Sequence, residues 1–351
     1  MEVFEAIGGA GVMLDIHSGE VVAMVSLPDY NPNHFAAIED DARFNRATLG
    51  LYEMGSTFKV LNTAMALESG ATTTSSYYEV SKPLRFGRFS VWDYHMYDRD
   101  LSVPEILVLS SNIGSARMAA DIGAERQQFY LRQLGLFDKV SLEIPEMANP
   151  LVPGTWRSTS IATVSFGHGI SVTPLHLASA VAAARGSGTM VEPTLMHRGG
   201  ALAPMGERLF SEETTKAVRS MMRLVVSHPD GTGNFAEAKG YMVGGKTGTS
   251  EKINPDGGYF KDKNIASFAA TFPVHDPRYV LVVMVDEPKG QKHSYGYATG
   301  GWVAAPAAKR IIEHAAPLLG ILPVDENSPE IRQKLRLDFK IGKEEKTLAS
   351  Y

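Results

Sequence analysis

The stretch Tyr52-Glu-Met-Gly-Ser-Thr-Phe-Lys-Val-Leu-Asn-Thr-Ala-Met-Ala-Leu67 carries a serine and a lysine three positions apart, Ser56 and Lys59, at the start of an apolar segment. A helix over 56–69 would place the lysine amine beside the serine hydroxyl, because residues three apart share a helix face. Apolar residues on nearly every side predict that this helix is buried, which would depress the Lys59 pKa. A neutral amine beside a serine hydroxyl activates it as a nucleophile. Taken alone, the spacing is more typical of an N-cap serine followed by a solvated lysine.

A second pattern, Lys246-Thr-Gly-Thr249, lies between the segment 241–245 and the strand-like segment 265–272. These flanks predict that it forms the edge of a sheet. A strand there would offer a cation and two hydroxyls to a carboxylate, and Gly248 would let a ligand approach the backbone closely. The alternative is a glycine-rich hairpin with a surface lysine.

The third pattern, Ser110-Ser-Asn112, follows Ser102-Val-Pro-Glu105, which is a capping box with proline in the first turn of a helix. The residues after it, 113–122, also have a helical pattern. Ser110 and Asn112 are therefore predicted in the turn between two helices, where side chains can reach a cleft. A polar loop without a functional role is the alternative.

In this order, S-x-x-K, S-x-N and K-T-G resemble the motifs of penicillin-binding proteins and serine β-lactamases. The similarity runs from about residue 10 to residue 320. Further segments resemble the class B penicillin-binding proteins, and the wording of 45–59 and 285–290 is most similar to the septal, cell-division transpeptidase. The segments that carry the wider resemblance are Asn45-Arg-Ala-Thr48, 165–174, Gly231-Thr-Gly233 and Gly300-Gly-Trp302.

The resemblance implies catalytic roles for the first two motifs. Ser56 corresponds to the nucleophile that becomes an acyl-ester, and Lys59 corresponds to its base. Ser110 would relay a proton toward the leaving amine. Asn112 would hold the substrate amide and orient Lys59.

It also implies roles for the third motif. Lys246 would add positive potential that lowers the Lys59 pKa and attracts an anionic substrate terminus, and it counts among the catalytic residues. Thr247, Gly248 and Thr249 would bind substrate, the two threonines as carboxylate binders. Backbone N–H groups of Ser56 and Thr249 would form the oxyanion hole.

The implied reaction is D,D-transpeptidation of peptidoglycan stem peptides ending in D-Ala-D-Ala through a serine acyl-enzyme, with β-lactam antibiotics acylating the same serine. Three alternatives remain at this stage. They are an elongation-type transpeptidase, a D,D-carboxypeptidase or β-lactamase, and a penicillin-sensing or scaffold module. Ser-Ser-Asn in place of Ser-Asp-Asn, and the lack of a Glu-x-x-x-Asn loop between 112 and 246, disfavour a class A β-lactamase.

Composition excludes several other classes of protein. Cysteine is absent, which removes thiol nucleophiles and thiolate metal sites, and the ten histidines show no metal-ligand spacing. We therefore expect no metal and no cofactor. His168, between two glycines, is interpreted as a structural loop histidine rather than a cleft residue. A formal net charge of −5 without a basic stripe argues against nucleic-acid binding.

The sequence contains no apolar run long enough for a membrane-spanning helix, so the chain itself is expected to be soluble. Class B proteins usually carry an N-terminal membrane anchor and a pedestal domain before the transpeptidase domain, and neither is predicted within this chain. The resemblance implies anchoring in the cell inner membrane with this domain on the periplasmic side. Divisome membrane proteins would bind through the N-terminal part. We assign 1–322 to the transpeptidase domain and 323–351 to a C-terminal tail, either a short docked helix or a loose segment.

The predicted fold class is α/β (α+β), with a central antiparallel sheet flanked by helices and an inserted helical lobe. Strands from both chain ends would build the sheet, and the cleft would lie between the sheet edge and the lobe. The predicted strands are 11–17, 20–26, 263–272 and 279–286, and the predicted helices are 56–69, 113–122, 124–134, 174–185, 212–226 and 302–316.

Overall fold

Both ends of the chain contribute strands to one sheet. The computed structural model describes residues 1–186, 188–204, 206–336, 338–341 and 344–347. The strands are β1 (Gly8–Asp15), β2 (Val21–Leu27), β3 (Tyr77–Tyr78), β4 (Leu84–Phe86), β5 (Phe89–Val91), β6 (Leu101–Ser102), β7 (Gly244–Ile253), β8 (Tyr259–Phe272), β9 (Tyr279–Asp286), β10 (Asp338–Ile341) and β11 (Glu344–Thr347). Five of them form the central antiparallel sheet in the order β2-β1-β9-β8-β7.

Helices cover both faces of this sheet. They are α1 (Asp40–Arg43), α2 (Phe58–Glu68), α3 (Val103–Val108), α4 (Asn112–Ile122), α5 (Ala124–Gln133), α6 (Ser158–Val164), α7 (Pro174–Arg185), α8 (Glu212–Ser227), α9 (Ala304–Leu318) and α10 (Pro329–Lys334). The predicted α/β class with a central antiparallel sheet is confirmed.

The alternation of side chains along β1 explains why an apolar core lies on each face of the sheet. Val12 and Leu14 belong to the larger apolar core, which also contains residues of α2 and α7. Met13 points to the opposite face and belongs to a second core that includes Ala304 and Ile312 of α9. Successive residues of a strand point to opposite faces, so a strand buried on both sides is apolar throughout. The sheet is thus the middle layer of three.

Most predicted elements lie within a few residues of the observed ones. The predicted hairpin is β1 and β2, the 263–272 strand begins earlier at Tyr259, and the 302–316 helix is α9. The capping box that starts α3 is confirmed, since the Ser102 side chain accepts from the Glu105 backbone and the Glu105 side chain accepts from the Ser102 N–H. The sequence did not predict α6 or the short strand pairs β3–β6 and β4–β5.

The segment from α2 to α6 lies between β2 and β7 in the chain and forms a helical lobe beside the sheet edge. Its helices contact one another, with α2 against α4 and α4 against α6. The turn before α2 packs on β7, which is the edge strand. A cleft opens where lobe and edge strand meet.

The C-terminal residues that the structure describes dock on this body. Glu326 accepts from the Arg223 guanidinium at 3.1 Å, and Ile331 of α10 is buried. Residues 337, 342–343 and 348–351 of the predicted tail lie outside the described residues. Within the described ranges, no helix combines the length and apolar character needed to cross a membrane.

Candidate active site

The three sequence motifs meet at one end of the cleft. The Lys59 amine lies 2.9 Å from the Ser56 hydroxyl oxygen and 3.1 Å from the Ser110 hydroxyl oxygen. The Lys246 amine lies 2.9 Å from the same Ser110 oxygen. Ser110 therefore stands between two lysines that are 187 residues apart in the chain.

A tight turn presents Ser56 at the start of α2. Residues Gly55–Thr57 form a 3-10 turn, and Gly55 has a left-handed φ of 57°. A Cβ at Gly55 would lie 2.6 Å from the Thr249 carbonyl oxygen and 3.1 Å from the Thr249 nitrogen. Only glycine permits this approach of the serine turn to β7. It brings the peptide units around Ser56 and Thr249 side by side.

Burial makes Lys59 an unusual lysine. Its side chain is fully buried, and burial lowers its pKa to about 7, against a smaller opposing effect of the Asp93 carboxylate. Its amine also lies 2.6 Å from the Ser110 carbonyl oxygen and 2.7 Å from the Asn112 side-chain oxygen. Both oxygens can only accept, so they take the two N–H groups of a neutral amine. The nitrogen lone pair is then free to accept from a hydroxyl.

The Ser110–Asn112 turn has the backbone strain expected of a constrained site. Ser110 has a φ of 61°, a left-handed conformation that serine rarely adopts. Ser111 caps α4 by accepting from the Gly114 N–H at 2.9 Å. The predicted position between two helices is confirmed, with Asn112 as the first residue of α4.

Lys246 occupies a cluster of hydroxyl groups on the other side of Ser110. Its amine lies 3.3 Å from the Thr247 hydroxyl and 3.5 Å from the Thr232 hydroxyl, which accepts from Thr247 at 2.8 Å. Burial lowers the Lys246 pKa well below its ordinary value, and the charge of Lys59 lowers it further. The sequence attributed the low Lys59 pKa partly to Lys246; burial is its main cause, and repulsion between the two buried amines disfavours a charge on either.

The two faces of β7 have different partners. Thr247 and Thr249 line the cleft. Gly248 points the other way, where a Cβ would lie 2.3 Å from the Met54 carbonyl oxygen and 2.3 Å from the Ser267 hydroxyl. The packing of the serine turn on β7 requires a glycine at 248, and the expected close approach of a ligand to this backbone stays a prediction.

The chain is similar in sequence to a known protein family. The family model described as "Penicillin binding protein transpeptidase domain" matches residues 9–313. The chain belongs to this family. A Caulobacter vibrioides protein named "Probable peptidoglycan D,D-transpeptidase FtsI" is 41% identical over 91% of this chain and 55% of its own length. The Escherichia coli K12 "Peptidoglycan D,D-transpeptidase FtsI" is 33% identical over 91% of this chain and 53% of its own length.

A solved structure has the same architecture. The transpeptidase domain of Burkholderia pseudomallei penicillin-binding protein 3 superposes with a TM-score of 0.81 at 30% identity, covering 92% of each chain. The present chain spans about half the length of the curated relatives that it matches.

The cleft of this penicillin-binding protein domain has a volume of about 530 Å³ and combines polar and aromatic walls. The sequence patterns singled out the segments that contain Thr232 and Trp302 without assigning them a role, and they did not identify Tyr94 or Phe235. The residues that line the cleft are Ser56, Tyr94, His95, Leu109, Ser110, Asn112, His168, Gly231, Thr232, Asn234, Phe235, Thr247, Thr249, Thr299, Gly301 and Trp302.

His168 lies on the wall of the transpeptidase cleft, in contrast to the preferred interpretation as a structural loop residue. Its neighbour Gly167 accepts from the Gly55 N–H at 3.3 Å, which holds the histidine loop against the serine turn. Burial lowers the His168 pKa. The glycines on either side were the available signal, because such residues mark a close approach of two backbones.

Glu53, three residues before the serine, joins three segments of the cleft. Its buried carboxyl accepts from the Gly169 N–H at 2.7 Å and from the Tyr259 hydroxyl at 3.1 Å. Its backbone carbonyl accepts from the Ser250 hydroxyl. Burial raises the Glu53 pKa. This residue ties the serine turn, the histidine loop and the β7–β8 hairpin together.

Proposed function

We propose that this chain is the catalytic domain of a peptidoglycan D,D-transpeptidase that acts through a serine acyl-enzyme. One observation carries the proposal: the Ser56 hydroxyl lies 2.9 Å from a buried Lys59 amine whose pKa falls to about 7. A base with a pKa near the working pH is the most effective one. The names of the FtsI relatives support the same reaction.

In the acylation step, the neutral Lys59 amine takes the Ser56 proton as the hydroxyl oxygen attacks the carbonyl of the penultimate D-alanine. Backbone N–H groups of Ser56 and Thr249 bind the resulting oxyanion. The close contact of Gly55 with Thr249 supports this pairing, because it aligns the two peptide segments. Losing one such donor typically costs about 2.7–4 kcal/mol of transition-state stabilisation.

Ser110 is suited to carry the proton from Lys59 to the leaving amine. Its hydroxyl lies between the two amines, at 3.1 Å from Lys59 and 2.9 Å from Lys246. Proton transfer to the scissile nitrogen releases the terminal D-alanine and leaves Lys59 neutral again. Asn112 accepts from Lys59 and borders the cleft, where it holds the substrate amide.

The β7 side of the cleft binds the terminal carboxylate of the donor peptide. Thr247 and Thr249 present hydroxyls there, beside the Lys246 amine. An anionic carboxylate favours the charged form of a neighbouring amine. Substrate binding therefore raises the Lys246 pKa and provides the cation that the acidic terminus needs.

An amine of a neighbouring stem peptide then attacks the acyl-ester, forms the cross-link and returns Ser56 to its free state. Water in place of the amine gives carboxypeptidase activity. β-Lactam antibiotics acylate Ser56 as substrate analogues and leave slowly. The polar and aromatic cleft of about 530 Å³ is large enough for either ligand.

The full protein that contains this domain is proposed to act in septal wall synthesis, because its curated relatives include proteins named FtsI. We propose residues 1–322 as the transpeptidase domain and 323–351 as its C-terminal tail. The domain would lie on the periplasmic side of the inner membrane. Membrane anchoring and contacts with divisome proteins are proposed for the full protein.

Intact mass spectrometry after incubation with benzylpenicillin tests the serine. We expect one stable adduct on the wild-type chain and none on Ser56→Ala. An adduct on the variant would refute the assignment of the nucleophile, and rapid loss of the wild-type adduct would indicate a β-lactamase.

A second assay tests the reaction itself. A stem peptide ending in D-Ala-D-Ala is supplied with and without an acceptor amine, and both released D-alanine and cross-linked product are measured. Cross-linked product supports the transpeptidase. Release of D-alanine without cross-linking indicates a carboxypeptidase, and no release at all indicates a sensing or scaffold module.

A further inference from the structure

Asp93 is a buried carboxylate directly behind the Ser110–Asn112 turn. It follows β5, and only 8% of its surface is exposed. One oxygen accepts from the Ser111 hydroxyl at 2.6 Å. The other accepts from the Ile113 N–H at 2.9 Å and from the Asn112 N–H. Asp93 therefore holds three consecutive residues by hydrogen bonds: Ser111 and Asn112 of the motif, and Ile113 directly after it.

The same loop determines which way the Asn112 amide points. The Trp92 carbonyl accepts from the Asn112 side-chain nitrogen at 3.0 Å. This bond leaves the Asn112 side-chain oxygen facing Lys59, from which it accepts at 2.7 Å. Residues 92 and 93 thus hold Asn112 by its backbone and by its side chain, and through Asn112 they set the position of the Lys59 amine.

Asp93 is also the acidic group whose field reaches the amine. Among the described residues, no carboxylate forms an ion pair with Lys59 or Lys246 within 4 Å. Because both Asp93 and Lys59 are buried, their interaction is screened far less than one at the surface.

We propose that Asp93 is a positioning residue for acylation: its carboxylate fixes the Ser110–Asn112 turn and supplies the negative field in which Lys59 exchanges its proton. This inference rests on the proposed function, since it gives Asp93 a role in the reaction of Ser56. The field of Asp93 raises the Lys59 pKa and partly offsets the effect of burial.

Three other titratable groups lie near Asp93 and Lys59, and their effects on the pH dependence must be distinguished from that of Asp93. Lys246 approaches from β7, and His168 approaches from the loop after α6, where the charge of Lys59 contributes to its lowered pKa. Tyr97 lies near Asp93, and its pKa is raised mainly by burial and further by the Asp93 charge. Tyr97 thus titrates above its usual range and His168 below its own.

Asp93→Asn separates charge from geometry. The asparagine oxygen can still accept from the backbone N–H groups of Asn112 and Ile113. Its new NH₂ group can donate to the Ser111 hydroxyl, which has a second lone pair. The variant therefore keeps the contacts of the turn and loses the negative field.

Glu105→Gln is the matched control. Glu105 is a buried carboxylate at the start of the neighbouring helix α3, where it accepts from the Ser102 N–H and hydroxyl at 2.8 Å each and pairs with Arg99 at 2.7 Å. Glu105→Gln therefore removes a buried negative charge from the same lobe. The Glu105 side chain bonds to Ser102 and Arg99 rather than to the Ser110–Asn112 turn.

The test measures the rate constant of Ser56 acylation by a fluorescent penicillin from pH 5.5 to 9 on the full chain. In the wild type and in Glu105→Gln, we expect the rate to fall below about pH 7 as Lys59 becomes protonated. Asp93→Asn should move this acid limb down by roughly 0.5–1 unit, which raises the ratio of the rate at pH 6 to that at pH 8 by about 2.5- to fivefold. Asp93→Glu, which keeps the charge, should retain the wild-type limb even where its maximal rate is lower.

An acid limb in Asp93→Asn that coincides with the wild-type limb overturns the proposal and leaves Asp93 a purely structural residue. Asp93→Ser, the second neutral variant, replaces it if melting curves show that Asp93→Asn does not fold. Failure of the proposed function gives a different result, because the wild-type chain would then form no adduct on Ser56 at any pH.

Discussion

The two walls of the cleft differ in the kind and the burial of their side chains. The helical wall consists of the Ser56 turn, Lys59 and the Ser110–Asn112 turn, and its polar groups are buried and bonded mainly to one another. The sheet wall comes from β7, the Thr232 loop and residues 299–302. Beside its hydroxyls stands a group of partly exposed aromatic rings.

The rings of the sheet wall are arranged around Trp302. Phe235 lies 4.8 Å from it between ring centroids, Tyr295 lies at 5.8 Å and Tyr297 stacks at 6.0 Å. Phe235 is 50% exposed, whereas Lys59 is fully buried. Buried polar networks fix geometry and proton affinity, while exposed aromatic surface contributes binding area. We infer that the helical wall supplies the nucleophile and its base, and that the aromatic rings of the sheet wall contribute mainly to affinity.

Lys59→Ala is the strongest test of this division. Loss of the base should lower the limiting rate of Ser56 acylation by about 10²- to 10⁴-fold, the usual contribution of a general base. Rapid-mixing measurements with a fluorescent penicillin separate this rate from the initial binding constant, which should change little. A limiting rate within tenfold of the wild type would show that Lys59 is not the base.

Gly248→Ala tests the contact that joins the walls. The added methyl would overlap the Met54 carbonyl oxygen and force the serine turn away from β7. We expect a loss of about 1–3 kcal/mol in the free energy of unfolding and a slower acylation rate. Thermal and urea unfolding provide the measurement. Gly154→Ala is the control, because its Cβ would meet nothing within 4 Å, and equal stability of the two variants would contradict the packing role of Gly248.

Trp302→Ala should have the smallest effect and a different character. Removing the central ring should weaken the initial binding of a stem peptide or penicillin by about three- to tenfold, since aromatic contacts contribute roughly 0.5–1.5 kcal/mol each. The limiting acylation rate should stay near the wild-type value. Trp92→Ala is the control, because Trp92 is 56% exposed and its backbone carbonyl, which accepts from Asn112, is kept in the variant. A fall in the limiting rate for Trp302→Ala, with binding unchanged, would reverse the assignment of the two walls.

The chemistry of the site could be predicted from sequence where local rules apply. The Ser56–Lys59 pair depends on helical spacing, and the start of α3 depends on the Ser102–Glu105 capping box, so both were accessible. Strand β9 was predicted within its observed bounds because it is a continuous apolar run between turn residues.

Other features depend on contacts that no local pattern specifies. Asp93 acts on residues 18–20 positions later in the chain, and nothing in its neighbours distinguishes it from an ordinary loop aspartate. The reason for Gly248 becomes visible only when the Met54 carbonyl is placed against it. Helix α6 was missed because its seven polar and apolar residues give no clear period.

The pairing of β1 with the central strand β9 has a consequence for biosynthesis. Strand β1 is the first of the sheet in chain order and pairs with β9, whose residues Tyr279–Asp286 leave the ribosome more than 260 residues later. Such distant pairing slows folding, because a long loop must close before the contact stabilises the chain. A nascent chain that stops before residue 279 therefore contains all three catalytic motifs but lacks the strand that joins β1 to β8.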